Sequence, residues 1–167
     1  MAALDSTIPQ VFKGAAAIQL LDGAGTPNTV DVEFEGTFSW TEVGRTVNEA
    51  RSRGRRKPTP VLIEGEDNDM ELTFSGHVTT YLGNSNTHVR EALTQTGTAS
   101  SWVKTGAGNA YSFDLKFTSL AGDGSGTTQV LTFSPCVVTS LQTNPDGDSG
   151  HEFEATITCY KNRPDIT

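Results

Sequence analysis

Apolar and polar residues alternate along most of this chain with a period of two. Over residues 30–40, Val32, Phe34 and Phe38 fall on one side and Asp31, Glu33, Glu35 and Thr37 on the other. The same rhythm sets Met70, Leu72, Phe74 and Val78 against Glu71, Thr73, Ser75 and His77. Near the end it sets Phe153, Ala155, Ile157 and Cys159 against Glu152, Glu154, Thr156 and Thr158. Successive side chains of a strand point to opposite faces, so each stretch predicts a half-buried strand with an acidic, hydroxyl-rich outer face. Further strands are expected over 15–21, 101–105, 111–118, 127–133 and 136–143. Between them lie turn sequences such as Asp22-Gly23-Ala24-Gly25, Asp123-Gly124-Ser125-Gly126 and Asn144-Pro145-Asp146-Gly147-Asp148.

Two stretches break the rhythm. After Gly83-Asn84-Ser85-Asn86-Thr87, the positions Val89, Ala92 and Leu93 recur at helical spacing. They predict one short helix over about 88–96, with Asn86 or Thr87 capping its start and Gly97 its end. Residues 42–60 have no periodicity and lie between two strands, which makes them a long loop. Connections beyond about 12 residues are uncommon in compact domains and are usually functional or disordered. The first 13 residues are mixed, and Ile8-Pro9 imposes an extended or turning backbone. We read them as an N-terminal arm, disordered alone or docked on a neighbour.

A chain of 167 residues with 17 Gly and 7 Pro then reads as a single mainly-β domain over 1–167. The expected form is a small β-sandwich or barrel of two packed antiparallel sheets with one short flanking helix. No apolar run approaches the ~20 residues of a membrane span, and the start lacks the charged-then-apolar pattern of a signal peptide. The two cysteines, Cys136 and Cys159, sit among strand-like residues and read as buried free thiols; a disulfide or a metal pair would need more than their spacing.

Charge changes the picture. Arg45, Arg51, Arg53, Arg55, Arg56 and Lys57 are six of the chain's twelve basic residues. With Glu49 counted, residues 45–57 carry +5 and the remainder −13, against −8 for the whole. Pro58 and Pro60 follow, and then Glu64, Glu66, Asp67, Asp69 and Glu71 reverse the sign. A cationic segment on an anionic body meets either an outside polyanion or copies of itself. Arg-rich segments do bind phosphates, but this one lacks the interleaved aromatics that stack bases. Contact with an acidic surface of another copy fits both halves of the pattern.

Catalytic and metal chemistry find little support. The run Ala121-Gly122-Asp123-Gly124-Ser125-Gly126 lacks the Lys-Ser/Thr of a phosphate loop. Asp67-Asn68-Asp69 and Asp146-Gly147-Asp148 lack the Gly and Glu placement of a calcium loop. His77, His88 and His151 have no partner at ligand spacing, and no Ser lies in a Gly-x-Ser-x-Gly elbow. No enzyme, metal or cofactor is expected.

The order of parts resembles that of a major tail tube protein of a tailed bacteriophage, along essentially the whole chain. The resemblance rests on the Gly14–Leu21 strand with its Asp22-Gly23 turn, and on the strand ending Gly36-Thr37-Phe38-Ser39-Trp40. A long charged loop with Gly44, Arg45 and Gly54 follows, then Asp69-Met70-Glu71-Leu72-Thr73-Phe74-Ser75-Gly76. A single mid-chain helix and Asn144-Pro145-Asp146-Gly147 before the last strand complete it. The family implies hexameric rings whose inner strands join into a cylinder, stacked into a tube through which double-stranded DNA passes without specific binding. It also implies a virion tail location after assembly in the host cytoplasm. Implied partners are other copies of the chain, a tape measure protein, a tail terminator and distal tail or baseplate proteins. By position, residues 44–60 match the arm that reaches the adjacent ring, so Arg45, Arg51, Arg53, Arg55, Arg56 and Lys57 become inter-ring contacts. The acidic faces at Asp31, Glu33, Glu35, Asp69, Glu71, Glu152 and Glu154 become lumen walls. Rival readings are a secretion-system tube protein of the same fold, and a receptor- or carbohydrate-binding β-sandwich. The second requires exposed aromatics gathered on one face.

Overall fold

Ten strands and one α-helix emerge in the computed structural model, which describes residues 17–32, 38–42, 47–50, 61–64, 68–78, 86–120, 128–146, 150–161 and 163–167. The strands are β1 (Ala17–Leu21), β2 (Thr29–Val32), β3 (Phe38–Thr41), β4 (Val47–Ala50) and β5 (Val61–Glu64). They continue as β6 (Met70–Val78), β7 (Phe113–Leu120), β8 (Thr128–Asp146), β9 (Gly150–Cys159) and β10 (Asp165–Ile166). Helix α1 (Val89–Thr94) and a 3-10 turn (Gly97–Ser101) lie between β6 and β7.

Eight strands form one antiparallel sheet in the order β2-β1-β7-β8-β9-β6-β3, with β10 beside β8. The end strands β2 and β3 do not pair with each other, so the sheet is not a closed barrel. It folds over on itself instead. Three strands separate β3 from β7 in the ladder, yet the Phe38 ring on β3 stacks on Phe117 of β7 with centroids 4.8 Å apart. Trp40 meets Phe133 of β8 edge-on at 5.8 Å. The expected two layers therefore come from a single sheet, one layer built on β2-β1-β7 and the other on β9-β6-β3. The 19-residue β8 belongs to both.

The inward rows agree with the alternation. Leu72, Phe74, Phe153, Ala155 and Ile157 from one layer meet Ile18, Leu20, Val30, Val32, Leu115 and Phe133 from the other. Ala92, Leu93, Ala99 and Trp102 add the helical segment to the same core. Burying a side chain such as Leu or Phe contributes roughly 1.5–3 kcal/mol, so these rows dominate the stability of the fold.

Several expectations need correction. The strand expected over 30–40 is two strands, β2 and β3, at opposite ends of the sheet. Positions 32, 38 and 40 keep the same parity, so the pattern is identical whether the chain runs on or crosses over. The strands expected over 127–133 and 136–143 are the single β8, which runs through Pro135 and on to Asp146. Residues 101–105 are not a strand: Ser101 ends the 3-10 turn, and 102–105 follow as irregular backbone fastened by side chains, for example Gln95 Nε2 to the Trp102 carbonyl at 3.1 Å. Within the expected 42–60 loop, residues 47–50 are strand β4, paired antiparallel with β5 in a separate two-stranded ribbon. The N-terminal arm, 1–13, lies outside the described residues.

The helix is capped differently from expectation. His88 is its N-cap, and the buried Glu91 carboxylate accepts from the His88 backbone N–H at 3.3 Å and the Thr98 hydroxyl at 2.8 Å. At the far end Gln95 adopts the left-handed conformation, φ 52°. Gly97 is also left-handed at φ 55°, and a Cβ there would collide with the Glu91 carboxylate. The Tyr111 hydroxyl donates to the Ala92 carbonyl and ties α1 to the approach of β7.

Candidate functional site

The outer face of the β8-β9-β6-β3 layer is where the sequence-predicted acidic residues gather. Register places Ser140, Gln142 and Asn144 of β8 opposite Thr156, Glu154 and Glu152 of β9. Those in turn stand opposite Thr73, Ser75 and His77 of β6, with Glu71 opposite Thr158. Ser39 and Thr41 of β3 complete the face opposite Thr73 and Glu71. Every one of these positions is at least partly exposed.

Strands β3, β6, β8 and β9 contain no Lys and no Arg. The positions named above are thus hydroxyls, amides, the His77 imidazole and three carboxylates, with no Lys or Arg from these strands. The carboxylates are unevenly spaced. Glu152 and Glu154 lie two residues apart on β9, roughly 7 Å at about 3.3 Å per residue, while Glu154 is opposite Ser75, four residues or roughly 13 Å along β6 from Glu71. Among the described residues no group of three His, Cys, Asp or Glu is placed to hold a metal. The face holds a shallow depression of about 360 Å³ lined by Ser39, Thr73, Phe74, Ser75 and Glu154.

The remaining predicted residues divide. Asp69 is exposed just ahead of β6. Asp31 is exposed on β2, in the other layer, where its Oδ1 accepts from Gln19 Nε2 at 2.6 Å and Lys116 stands opposite Gln19 on β7. Folding the sheet over turns the two outer faces away from each other, so Asp31 is not brought together with Glu71, Glu152 and Glu154. Glu33 and Glu35 lie outside the described residues, as do Arg45, Arg51, Arg53, Arg55, Arg56 and Lys57. In sequence, Arg51, Arg53, Arg55, Arg56 and Lys57 fall between the paired strands β4 and β5.

An open strand edge borders the face, and sequence reasoning missed it. At Cys136, β8 has Phe113 of β7 on one side and Cys159 of β9 on the other. Beyond it β9 continues to pair as far as Asp146, while no described strand pairs on the β7 side. A shift in register between Val138 and Ser140 bulges the strand there. The Tyr160 N–H donates to the Pro135 carbonyl at 3.1 Å, a bond that flanks a non-hydrogen-bonded pair at Cys136 and Cys159. Following that alternation past the bulge, Leu141 and Thr143 direct their backbone N–H groups to the open side. Pro145, which has none, occupies the next such position. Among the described residues, β2 and β3 each also have one side without a paired strand.

Searches of solved structures place this geometry in context. Over 99% of both chains, the structure matches one from the extended-state sheath/tube terminator of an extracellular contractile injection system, with TM-score 0.58 and 14% identity. A match from the six-fold symmetrised baseplate of the anti-feeding prophage has TM-score 0.57 and 12% identity, covering all of this chain and 97% of the other. One from the same particle's tube-terminating cap gives 0.54 and 14%, covering 100% and 95%. This is the fold of phage-like tail tubes. At these identities the likeness extends to the fold and no further. No family model matches the sequence, and no curated protein matches it either.

The rival carbohydrate-binding reading requires exposed aromatics gathered on one face. Trp40 is partly exposed, but its ring packs inward among Phe38, Phe117 and Phe133. Trp102 is buried.

Proposed function

We propose that this chain is a structural subunit of a phage-like tail tube. Copies close into hexameric rings by pairing strand edges, rings stack, and the face of Glu71, Glu152 and Glu154 lines a bore that carries double-stranded DNA. The observation that carries the reading is a four-strand face without a single Lys or Arg, bordered by an open edge. Each cation that touches phosphate releases counterions and adds affinity, so a wall meant to pass DNA needs this composition. Like charge keeps a polyanion off the wall. An exposed strand edge invites pairing with another chain, and a closed ring satisfies every edge without leaving one free. The basic segment from Arg45 to Lys57 then serves as the arm between rings.

A second reading keeps the tube and changes the cargo. One of the matched structures comes from an extracellular contractile injection system, which favours a secretion or injection tube of the same fold. The two readings separate on what purified source particles contain, nucleic acid or protein.

Electron microscopy of the concentrated chain tests the shared core of both, with stacked rings around an axial bore as the expected result. Thr143→Pro removes an N–H from the open edge and leaves the β8–β9 ladder intact. It should yield a folded chain that no longer forms rings. Rings of undiminished number from this variant would remove the β8 edge from the interface, and a chain that stays monomeric at every concentration would remove the tube.

A further inference from the structure

Cys136 and Cys159 are direct cross-strand partners. Both are free, and neither exposes any surface. The Tyr160-to-Pro135 bond makes theirs a non-hydrogen-bonded site, the kind in which Cα atoms approach to about 4.5 Å and side chains lie closest. Disulfides span Cα separations of about 4.4–6.8 Å, so the backbone already has the required spacing. The two side chains are on the same inward face, near enough to perturb each other's ionisation. Free cysteines are often plain buried hydrophobes, but that role gives no reason for two to face each other across one ladder.

Their surroundings are unequal. The Cys136 contact draws the Cys159 thiol down, helped by the backbone N–H groups of Lys161 and Ser134 and by the Lys161 ammonium. The same contact, burial and the Asp114 carboxylate push Cys136 up, and its Sγ lies 3.3 Å from the Phe133 carbonyl, placed to donate. Burial opposes ionisation of either thiol, and of the two it is Cys159 whose surroundings favour the charged form. Cys159 is also the last residue of β9, and the Tyr160 that follows it is half exposed.

We propose that Cys136 and Cys159 are a modification site, a dithiol that closes to a disulfide across β8 and β9 on meeting a small hydroperoxide. The Cys159 thiolate attacks one peroxide oxygen, the O–O bond breaks, and hydroxide leaves behind a sulfenic acid. The Cys136 sulfur then attacks Cys159 Sγ, and the sulfenic hydroxyl departs with the Cys136 proton as water. Two thiols are oxidised by two electrons, and one peroxide becomes two waters. The new bond pins the place where β7, β8 and β9 meet.

The test treats the reduced, folded full chain with hydrogen peroxide, quenches it with an alkylating reagent in denaturant, and measures intact mass and peptides without reduction. The expected product has lost two hydrogens, carries no alkyl group, and joins the peptides of Cys136 and Cys159 within one chain. Its melting temperature rises, and a bulky aromatic disulfide reagent labels the native reduced protein far more slowly than the denatured one. In Cys136→Ser, Cys159 should stop at a sulfenic acid that dimedone traps. The wild-type mass decides the matter even if that variant fails to fold. Two fully alkylated cysteines after peroxide, a link only between chains, or sulfinic acid without a link would each overturn the proposal.

Discussion

Asp22 is buried at the end of β1, and three segments of chain meet on its carboxylate. Oδ1 accepts from the backbone N–H groups of Ala24 at 3.3 Å and Asn28 at 2.8 Å. Oδ2 accepts from the Asn28 side chain at 2.7 Å and from the Val103 N–H at 3.4 Å. Burial alone would raise its pKa, but these hydrogen bonds outweigh it and leave the carboxyl below its ordinary value. Such a group contributes stability that is complete above its unfolded pKa of about 3.9, and that is lost as pH falls through the lower folded value. Asp22→Ala should cost about 1–3 kcal/mol at neutral pH, because it strands buried donors; urea unfolding measures it. The stability gap between wild type and Asp22→Asn should narrow as pH drops below about 4, and a pH-independent gap would contradict this account. In the sequence Asp22 reads as a turn residue, which it is. Its bond to Val103 joins positions far apart in sequence, and no local pattern announces it.

Gly97 connects two short elements. It leaves room for the Glu91 carboxylate, which fastens the start of α1 through His88 and the 3-10 turn through Thr98. Gly97→Ala must place a Cβ in that space at a positive φ, so we expect a loss of about 1–3 kcal/mol, typical of strain at such a site. Faster hydrogen exchange over residues 88–98 would locate the damage, and unchanged exchange there would contradict it. The helix itself was legible because Val89, Ala92 and Leu93 share a face. Its cap was not, since Asn86 and Thr87 are better cap formers than His88 and only the buried Glu91 reverses the preference. Strands β6 and β9 were legible to the residue in facing because one side of each is buried and the other exposed. β2 and β3 were not separable, because parity carries no information about which neighbour a strand pairs with. The continuity of β8 was hidden by Pro135, which in sequence marks a break.

At the scale of the molecule, fold class followed from periodicity, while the wall depended on knowing which outer faces share a layer. Three of the seven acidic positions singled out in the sequence, Glu71, Glu152 and Glu154, lie together on the β6–β9 face, and Asp31 belongs to the other layer. Replacing those three by Lys should leave stability within about 0.5 kcal/mol per site, as for ordinary surface changes. It should make assembled tubes retain DNA in a salt-dependent way, measured by co-sedimentation. Tubes of the triple variant that ignore DNA would remove these side chains from the bore. Deleting residues 51–57 spares the Ala50–Val61 pairing of the ribbon. If the basic segment joins rings, single rings should persist and long tubes vanish. Wild-type tubes should shorten in 1 M salt, where the screening length is about 3 Å. Among the described residues, β8 alone is hydrogen-bonded to strands of both layers. Any turn of one layer against the other must therefore be taken up as torsion in that one ribbon. That ribbon passes from one layer to the other at Cys136, and its bulge between Val138 and Ser140 follows on the β9 side. The subunit is in effect two plates on a torsion bar, so a stack of them would twist by many small equal increments rather than shear at one joint.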